Sequence, residues 1–186
     1  SSELTKLQSK MALSILTALR VATSAQTEKE LVSRRSGNPE AYEYYLKAKY
    51  KFDNKKTKED VAVAQGMYTR AIEIDSGMLV ARYALAETYL LSGEYKKAKQ
   101  IYVGVLDRAQ ALRERSIEAN SLRGIGLVYW NLSEYAQALR YYDQSLTIVK
   151  ELGDLFGEAR VLNNIGLVYW NQGAHQKALD HYTTSL

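Results

Sequence analysis

The chain has 186 residues with 46% hydrophobic content and a single proline, a composition typical of a globular, helical protein with a continuous core. Its 25 basic residues against 21 acidic ones leave a net charge of only +4, too weak an excess to indicate a nucleic-acid-binding protein. The absence of cysteine excludes disulfides and cysteine-ligated metals, and with no signal peptide and no run of 18 apolar residues we expect a cytoplasmic protein that does not cross a membrane.

The first predicted element is an amphipathic helix over residues 3–22. Its apolar stripe consists of Leu4, Leu7, Met11, Ile15 and Leu19. Because so much apolar surface on one helix is unfavourable in water, we expect the helix to cap the following part of the chain or to pair with the same helix of a second chain. We slightly favour the homodimer.

A boundary follows near residue 37. Thr27 and Glu30 have the spacing of a capping box for a short second helix. Residues 36–38 end this segment, and Pro39 is suited to the first turn of the next helix. We therefore predict a helical extension over residues 1–37 and a second domain over residues 38–186.

The second domain contains internal repeats. The sequence IGLVYWN occurs at residues 125–131 and again at residues 165–171, forty residues apart. More diverged copies precede it: Ala86 and Tyr89 stand forty residues before Gly126 and Tyr129. Ala64 and Tyr68, thirty-four residues before Ala98 and Tyr102, mark a fourth copy. A fixed period of this kind predicts a solenoid of helical hairpins that bury their apolar faces on their neighbours.

Each repeat unit is predicted to hold two helices, A and B. Leu122, Ile125, Gly126 and Tyr129 recur at i, i+3, i+4 and i+7, the stripe of an amphipathic helix A. Gly126, with Gly166 in the next unit, is expected to let helix B approach closely, since glycine otherwise weakens a helix. Helix B offers a small residue at the matching place of each unit: Ala98, Ala138 and Ala178. We expect the tyrosines that recur at the same position of each unit to fill the core, with their hydroxyls at its edge.

These residues resemble the tetratricopeptide repeat family, in which Leu-Gly and Tyr mark helix A and Ala with an aromatic residue marks helix B. The resemblance covers about residues 38–186 and implies an all-α, right-handed superhelical solenoid of about four hairpins. The sequence departs from the family in having Ser76 where a proline usually closes the unit. The forty-residue spacing predicts longer helices or linkers, and the turn at residues 54–60 is expected to carry four or five extra residues.

The resemblance further implies a protein-interaction module that binds a protein or peptide along the concave face of the A helices. The candidate residues lie off the core stripe of helix A. They are Arg123, Leu127, Trp130 and Asn131 in the third unit, and Arg160, Asn163, Asn164, Leu167, Trp170 and Asn171 in the fourth. Asn120 and, in the second unit, Tyr83, Glu87 and Leu90 extend the set. The clamp by which chaperone-binding members hold a terminal carboxylate is not reproduced, because Leu127 and Leu167 replace its asparagine.

Trp130 and Trp170 occupy the same place in consecutive A helices. Because tryptophan is enriched at binding hot spots, we favour a ledge that anchors the partner. The alternative is that both pack between successive A helices.

No residue pattern points to catalysis or to a cofactor. His175 and His181 are six residues apart and do not share a helix face, so we expect solvated side chains without a metal or catalytic role. The lysines at residues 47–58 are diluted by acidic residues and read as a solvated face. We expect no enzyme activity and no nucleic-acid partner for this chain.

Two functions remain open from the sequence. The first is an interaction module inside a larger, bacterial signalling protein. The second is a sensory receptor in which a ligand changes the curvature of the solenoid and so controls an attached output domain. The N-terminal join resembles that of bacterial multidomain proteins such as class III nucleotide cyclases. The chain lacks an initiator methionine and ends inside a helix B, so we expect a piece of a larger protein.

Overall fold

The computed structural model describes residues 38–184, all of whose regular structure is α-helical, as the periodicity predicts. The helices are α1 (Pro39–Asp53), α2 (Lys58–Ile74), α3 (Leu79–Leu91), α4 (Tyr95–Ala111), α5 (Arg115–Asn131), α6 (Tyr135–Glu151), α7 (Leu155–Asn171) and α8 (His175–Thr184). The predictions for residues 1–37, including the dimer helix and the N-terminal join, lie outside the described residues. Between residues 38 and 184 no helix combines the length and apolar character needed to cross a bilayer.

The helices stack as four hairpins, with α1, α3, α5 and α7 as the A helices and α2, α4, α6 and α8 as the B helices. Each helix packs against the next along the chain, and the A helices of neighbouring units also contact one another. The described B helices make no such contacts among themselves. The A helices therefore form one continuous face, whereas neighbouring B helices are separated.

The forty-residue period comes from long helices. In the third unit, α5 and α6 have 17 residues each and are joined and followed by turns of three residues. Of the two possibilities that the spacing allowed, longer helices are confirmed and longer linkers are not observed.

Five of the turns share one hydrogen-bonding scheme. At the end of α3, the amide of Gly93 donates to Leu90 O at 3.1 Å and the amide of Glu94 donates to Tyr89 O at 2.9 Å, the Schellman pattern. This pattern requires a left-handed residue, which is glycine after α3, α6 and α7 but a side-chain-bearing residue after α4 and α5. Those two residues are Arg113, with φ of 56°, and Ser133, with φ of 60°.

At the start of the array, the predicted position of Pro39 is confirmed and the predicted length of the first turn is not. Pro39 is the first residue of α1, and the Asn38 side chain accepts hydrogen bonds from two backbone amides of its first turn. The expected long turn at residues 54–60 is wrong, because α2 already begins at Lys58. Thr57 and Asp60 form a capping box there: the Asp60 amide donates to Thr57 Oγ1 at 3.2 Å and the Thr57 amide to Asp60 Oδ2 at 3.1 Å.

The core depends on tyrosine rings of B helices that lie against glycines of α5. A Cβ added at Gly126 would lie 2.5 Å from Cε1 of Tyr142 in α6, and one at Gly124 would lie 2.6 Å from Cε1 of Tyr102 in α4. Both rings are fully buried. The predicted close approach at Gly126 is confirmed, and Gly124 serves the preceding B helix in the same way.

The tyrosines of the two helix types differ in burial. Tyr68, Tyr102 and Tyr142 of the B helices are buried, whereas Tyr89, Tyr129 and Tyr169 of the A helices are half-buried. The expectation that the hydroxyls reach the edge of the core is wrong for Tyr102 and Tyr142. Their hydroxyls are buried with no hydrogen-bond partner, and this burial raises the pKa of both phenols.

Candidate binding groove on the A helices

The four A helices together line a cleft of about 320 Å³ on the continuous face of the array. Helix α1 contributes Tyr45, Lys49, Phe52 and Asp53; α3 contributes Val80, Tyr83, Ala84 and Glu87; α5 contributes Ile117 and Asn120; and α7 contributes Arg160. Tyr68 of the B helix α2 completes the lining. We call this cleft the A groove. Its wall is aromatic and aliphatic, and its charged groups include both signs.

A partly buried hydrogen-bonded network joins two units at the wall of the A groove. Arg123 of α5 is only 7% exposed, and its Nη2 donates to the hydroxyl of Tyr83 in α3 at 2.8 Å. That hydroxyl donates in turn to Oε1 of Glu87 at 2.9 Å, and Glu87 lies 3.7 Å from Arg123 Nη2. Burial and the nearby Glu87 carboxylate raise the pKa of Tyr83, so the phenol stays protonated and keeps donating.

The two ends of the A groove carry side chains held by their own neighbours. Lys49 bonds Asp53 across one turn of α1, at 3.0 Å between Nζ and Oδ2. Tyr45 packs against the buried Tyr68 ring, with ring centroids 5.9 Å apart. At the other end, the Arg160 guanidinium lies over the Phe156 ring, 5.7 Å from its centroid. The groove is therefore largely preformed, with an exposed arginine at one end.

The structure distributes the predicted groove residues unevenly. Arg160 and Asn120 line the A groove, and Arg123 supports it from below. Asn131, Asn163 and Asn171 are exposed and Leu127 and Leu167 half-buried, but none of these five lines the cleft. Asn164 is buried, and its Nδ2 has no hydrogen-bond partner.

Asn131 is fixed at the end of its helix. Its Nδ2 donates to Leu127 O at 2.8 Å, and its Oδ1 accepts from the hydroxyl of Tyr95 in α4 at 3.3 Å. This amide is thus already engaged by two neighbours, and its predicted role in orienting a partner would require one of these bonds to open.

The two tryptophans have different surroundings. Trp130 is half-buried and packs on the apolar cluster that α6 and α7 form, which includes Tyr142, Val161 and Ile165. Trp170 is 55% exposed, and its ring lies 4.5 Å from that of His175. The position of Trp130 favours the second of the two predicted roles, packing between successive A helices. Trp170 instead presents an accessible indole.

Each histidine contacts an aromatic ring; His175 is exposed, as predicted, whereas His181 is half-buried. His175 meets Trp170, and His181 stacks on Tyr169 with ring centroids 5.4 Å apart. In the part of the chain that the structure describes, no three His, Cys, Asp or Glu side chains are grouped so as to hold a metal ion.

Sequence reasoning missed the contribution of α1 to the groove. Tyr45, Lys49 and Phe52 recur at i, i+4 and i+7, which marks one face of a helix. The spacing marks one face of α1, but the ambiguous register of the first unit left open whether this face lies in the core or in the groove.

Comparison with known proteins agrees with the architecture. The family model of the tetratricopeptide repeat matches residues 77–151 and 117–186, more than half of the chain. The chain belongs to the tetratricopeptide repeat family, a protein-interaction fold. A search of curated proteins finds no match.

Several solved structures are similar. The tetratricopeptide repeat domain of Arabidopsis FLU is 26% identical over 57% of this chain and 90% of its own, with a TM-score of 0.54. A Rap protein complexed with competence and sporulation factor is 17% identical over 78% of this chain and 42% of its own, with a TM-score of 0.69. MamA is 21% identical over 84% of this chain and 81% of its own, with a TM-score of 0.57. The chain thus spans less than half of the Rap protein.

Proposed function

We propose that the chain binds a polypeptide partner in the A groove as the interaction module of a larger signalling protein. The observation that carries this proposal is the groove itself, which all four A helices line and which the partly buried network of Arg123, Tyr83 and Glu87 supports. A preformed cleft that combines aromatic and aliphatic walls with fixed polar groups is a common form of binding site. Asn120 and Arg160 would supply the exposed polar contacts.

The partner would lie across several units rather than on one. The lining extends from Tyr45 in the first unit to Arg160 in the fourth, so a ligand that fills it contacts side chains from helices far apart in sequence. The similarity to a Rap protein solved with competence and sporulation factor supports this proposal at the level of the fold.

A display library of random peptides, selected on the complete chain, tests the proposal. We expect selected peptides to bind the Arg160→Glu variant about tenfold more weakly by fluorescence anisotropy, because the variant reverses the charge at one end of the groove. Arg140→Glu is the matched control, since Arg140 is exposed on α6 and lies outside the groove. Equal loss in both variants, or no enriched peptide, would contradict the proposal.

A sensory role is the second candidate. The hydrogen bond between Arg123 and Tyr83 crosses the boundary between the second and third units, so a ligand that competes for Arg123 would change the angle between them. Such a change in curvature would control an attached output domain. We propose that this output domain is a nucleotide cyclase of a bacterial signalling protein. Small-angle scattering with and without a selected peptide separates the two roles: a change in the radius of gyration supports the sensor, and an unchanged radius supports a static module.

A further inference from the structure

A second cleft, of about 520 Å³, lies between α3, α4 and the turn before α3. We call it the B cleft. No lining residue is shared with the A groove. Helix α4 borders it from Lys97 to Arg108, which at 1.5 Å per residue is about 16 Å of helix.

The B cleft is positively charged. Three cationic side chains line it, Arg82, Lys97 and Arg108, and no lining residue is acidic. Arg82 is held in place because its Nε donates to the carbonyl of Ser76 at 3.1 Å. Among residues 38–184, Lys97 alone of the three has a close carboxylate, that of Glu94, at 2.5 Å. The remaining positive charge favours an anionic ligand.

The surface between these cations is apolar and open. Tyr89, Ile101 and Val105 line it, together with Gly104. Gly104 lies inside α4, where glycine disfavours the helix, yet a Cβ added there would meet no atom within 4 Å. Unlike Gly124 and Gly126, this glycine serves no contact within the described residues, and it leaves space in the cleft.

The third unit shows that the opening is specific to the second unit. At the equivalent positions forty residues further on, Leu122 replaces Arg82, Tyr141 replaces Ile101 and Ile148 replaces Arg108. Leu122 and Ile148 are buried in one apolar cluster against which Tyr141 packs. The same place in the repeat is thus filled by apolar side chains in the third unit and is open and cationic in the second.

We propose that the B cleft binds an acidic segment of a protein partner, separately from the A groove. Aspartate or glutamate side chains would pair with Arg82, Lys97 and Arg108, and an apolar side chain between them would cover Tyr89 and Ile101. The length of the cleft matches about five residues of extended chain. A small inorganic anion would use the cations but leave the apolar floor uncovered.

The probe is a fluorescein-labelled peptide, GDELEELDG, titrated against the complete chain at low salt. The comparison peptide GNQLQQLNG keeps the leucines and removes the charges. We expect the acidic peptide to bind at least about tenfold more tightly than the neutral one, and inorganic phosphate to be a poor competitor. Equal affinity of the two peptides, or displacement by phosphate at concentrations that leave ionic strength unchanged, would overturn the proposal.

Substitutions test whether the acidic peptide binds in the B cleft. Arg108→Glu should weaken the acidic peptide about tenfold, whereas Arg140→Glu, an equally exposed arginine on α6, should change it less than about twofold. Gly104→Leu should also block binding while the melting temperature is unchanged or higher, because glycine disfavours a helix and a Cβ at this position meets no atom within 4 Å. Equal effects of the two arginine variants would show attraction to overall charge and overturn the proposal. Arg160→Glu should leave this binding intact, so that failure of the A-groove proposal is recognised separately.

Discussion

The third and fourth units contain the same heptapeptide, yet the structure treats the two copies differently. At residues 125–131 the tryptophan is half-buried against the cluster of α6 and α7, whereas at residues 165–171 it is exposed and its ring contacts that of His175, the first residue of α8. The helices, the turns and the core stripe are otherwise equivalent. The burial of this tryptophan therefore depends on the neighbouring unit and not on the heptapeptide alone.

The largest effect is expected where helix B packs on a glycine of helix A. Gly126→Leu should destabilise the array by about 3 kcal/mol or more, since overpacking a rigid core costs roughly 1–3 kcal/mol and the new side chain would start 2.5 Å from the fully buried Tyr142 ring. Thermal unfolding followed by circular dichroism measures the change. Lys56→Ala, at an exposed site, serves as the control and should melt like the parent. Gly166→Leu is expected to act similarly, and a parent-like melt for both glycine variants would mean that helix B does not approach there.

The second largest effect is a difference in stability loss between alanine substitutions at the two tryptophans. Trp130→Ala should cost roughly 2 kcal/mol, less than the 3–5 kcal/mol typical of a fully buried aromatic residue, because the indole is half-buried. Trp170→Ala should cost less than about 0.5 kcal/mol, as expected for an exposed position.

Urea unfolding of the two tryptophan variants gives the comparison, with the parent as reference. Equal losses would show that the heptapeptide, rather than the neighbouring unit, sets the contribution of tryptophan. Partner binding by the Trp170 variant can then be measured in a protein of normal stability, which tests its predicted role as an anchor.

The smallest effect concerns the turns. Ser133→Gly should stabilise the protein by about 0.5–1 kcal/mol, because a left-handed conformation is unfavourable for a residue with a Cβ and the equivalent Gly173 already has φ of 76°. Gly173→Ser is the reverse change and should destabilise by a similar amount. A melting temperature that falls in the first variant would contradict the assignment of strain to this turn.

Much of the fold could be predicted because it depends on spacing. The stripe of Leu122, Ile125 and Tyr129 defines helix A, and Gly126 was recognised as a contact because an internal helical glycine needs a reason. Gly124 was missed, since its partner Tyr102 belongs to the preceding unit and only the stacked array brings the two together.

The binding surfaces could be predicted less well for a physical reason. Arg160 and Asn120 were identified from the A-helix positions off the core stripe, but the contribution of α1 required the correct rotation of the first helix. The B cleft depends on what its side chains leave empty, at Gly104 and Ile101, and a single sequence does not show empty space. The binding roles assigned to the tryptophans and asparagines stay predictions.

The repeated three-residue turn has a consequence for how such a gene can change. A duplication that begins in one of these turns and ends in the equivalent turn of the next unit adds a complete hairpin, whose Gly and Tyr surfaces already match both neighbours. An insertion of one residue within a 17-residue helix instead rotates everything after it by about 100°, since an α-helix has 3.6 residues per turn. The chain can therefore lengthen by whole units far more readily than by single codons, and the identical copies at residues 125–131 and 165–171 are the pattern that such lengthening produces.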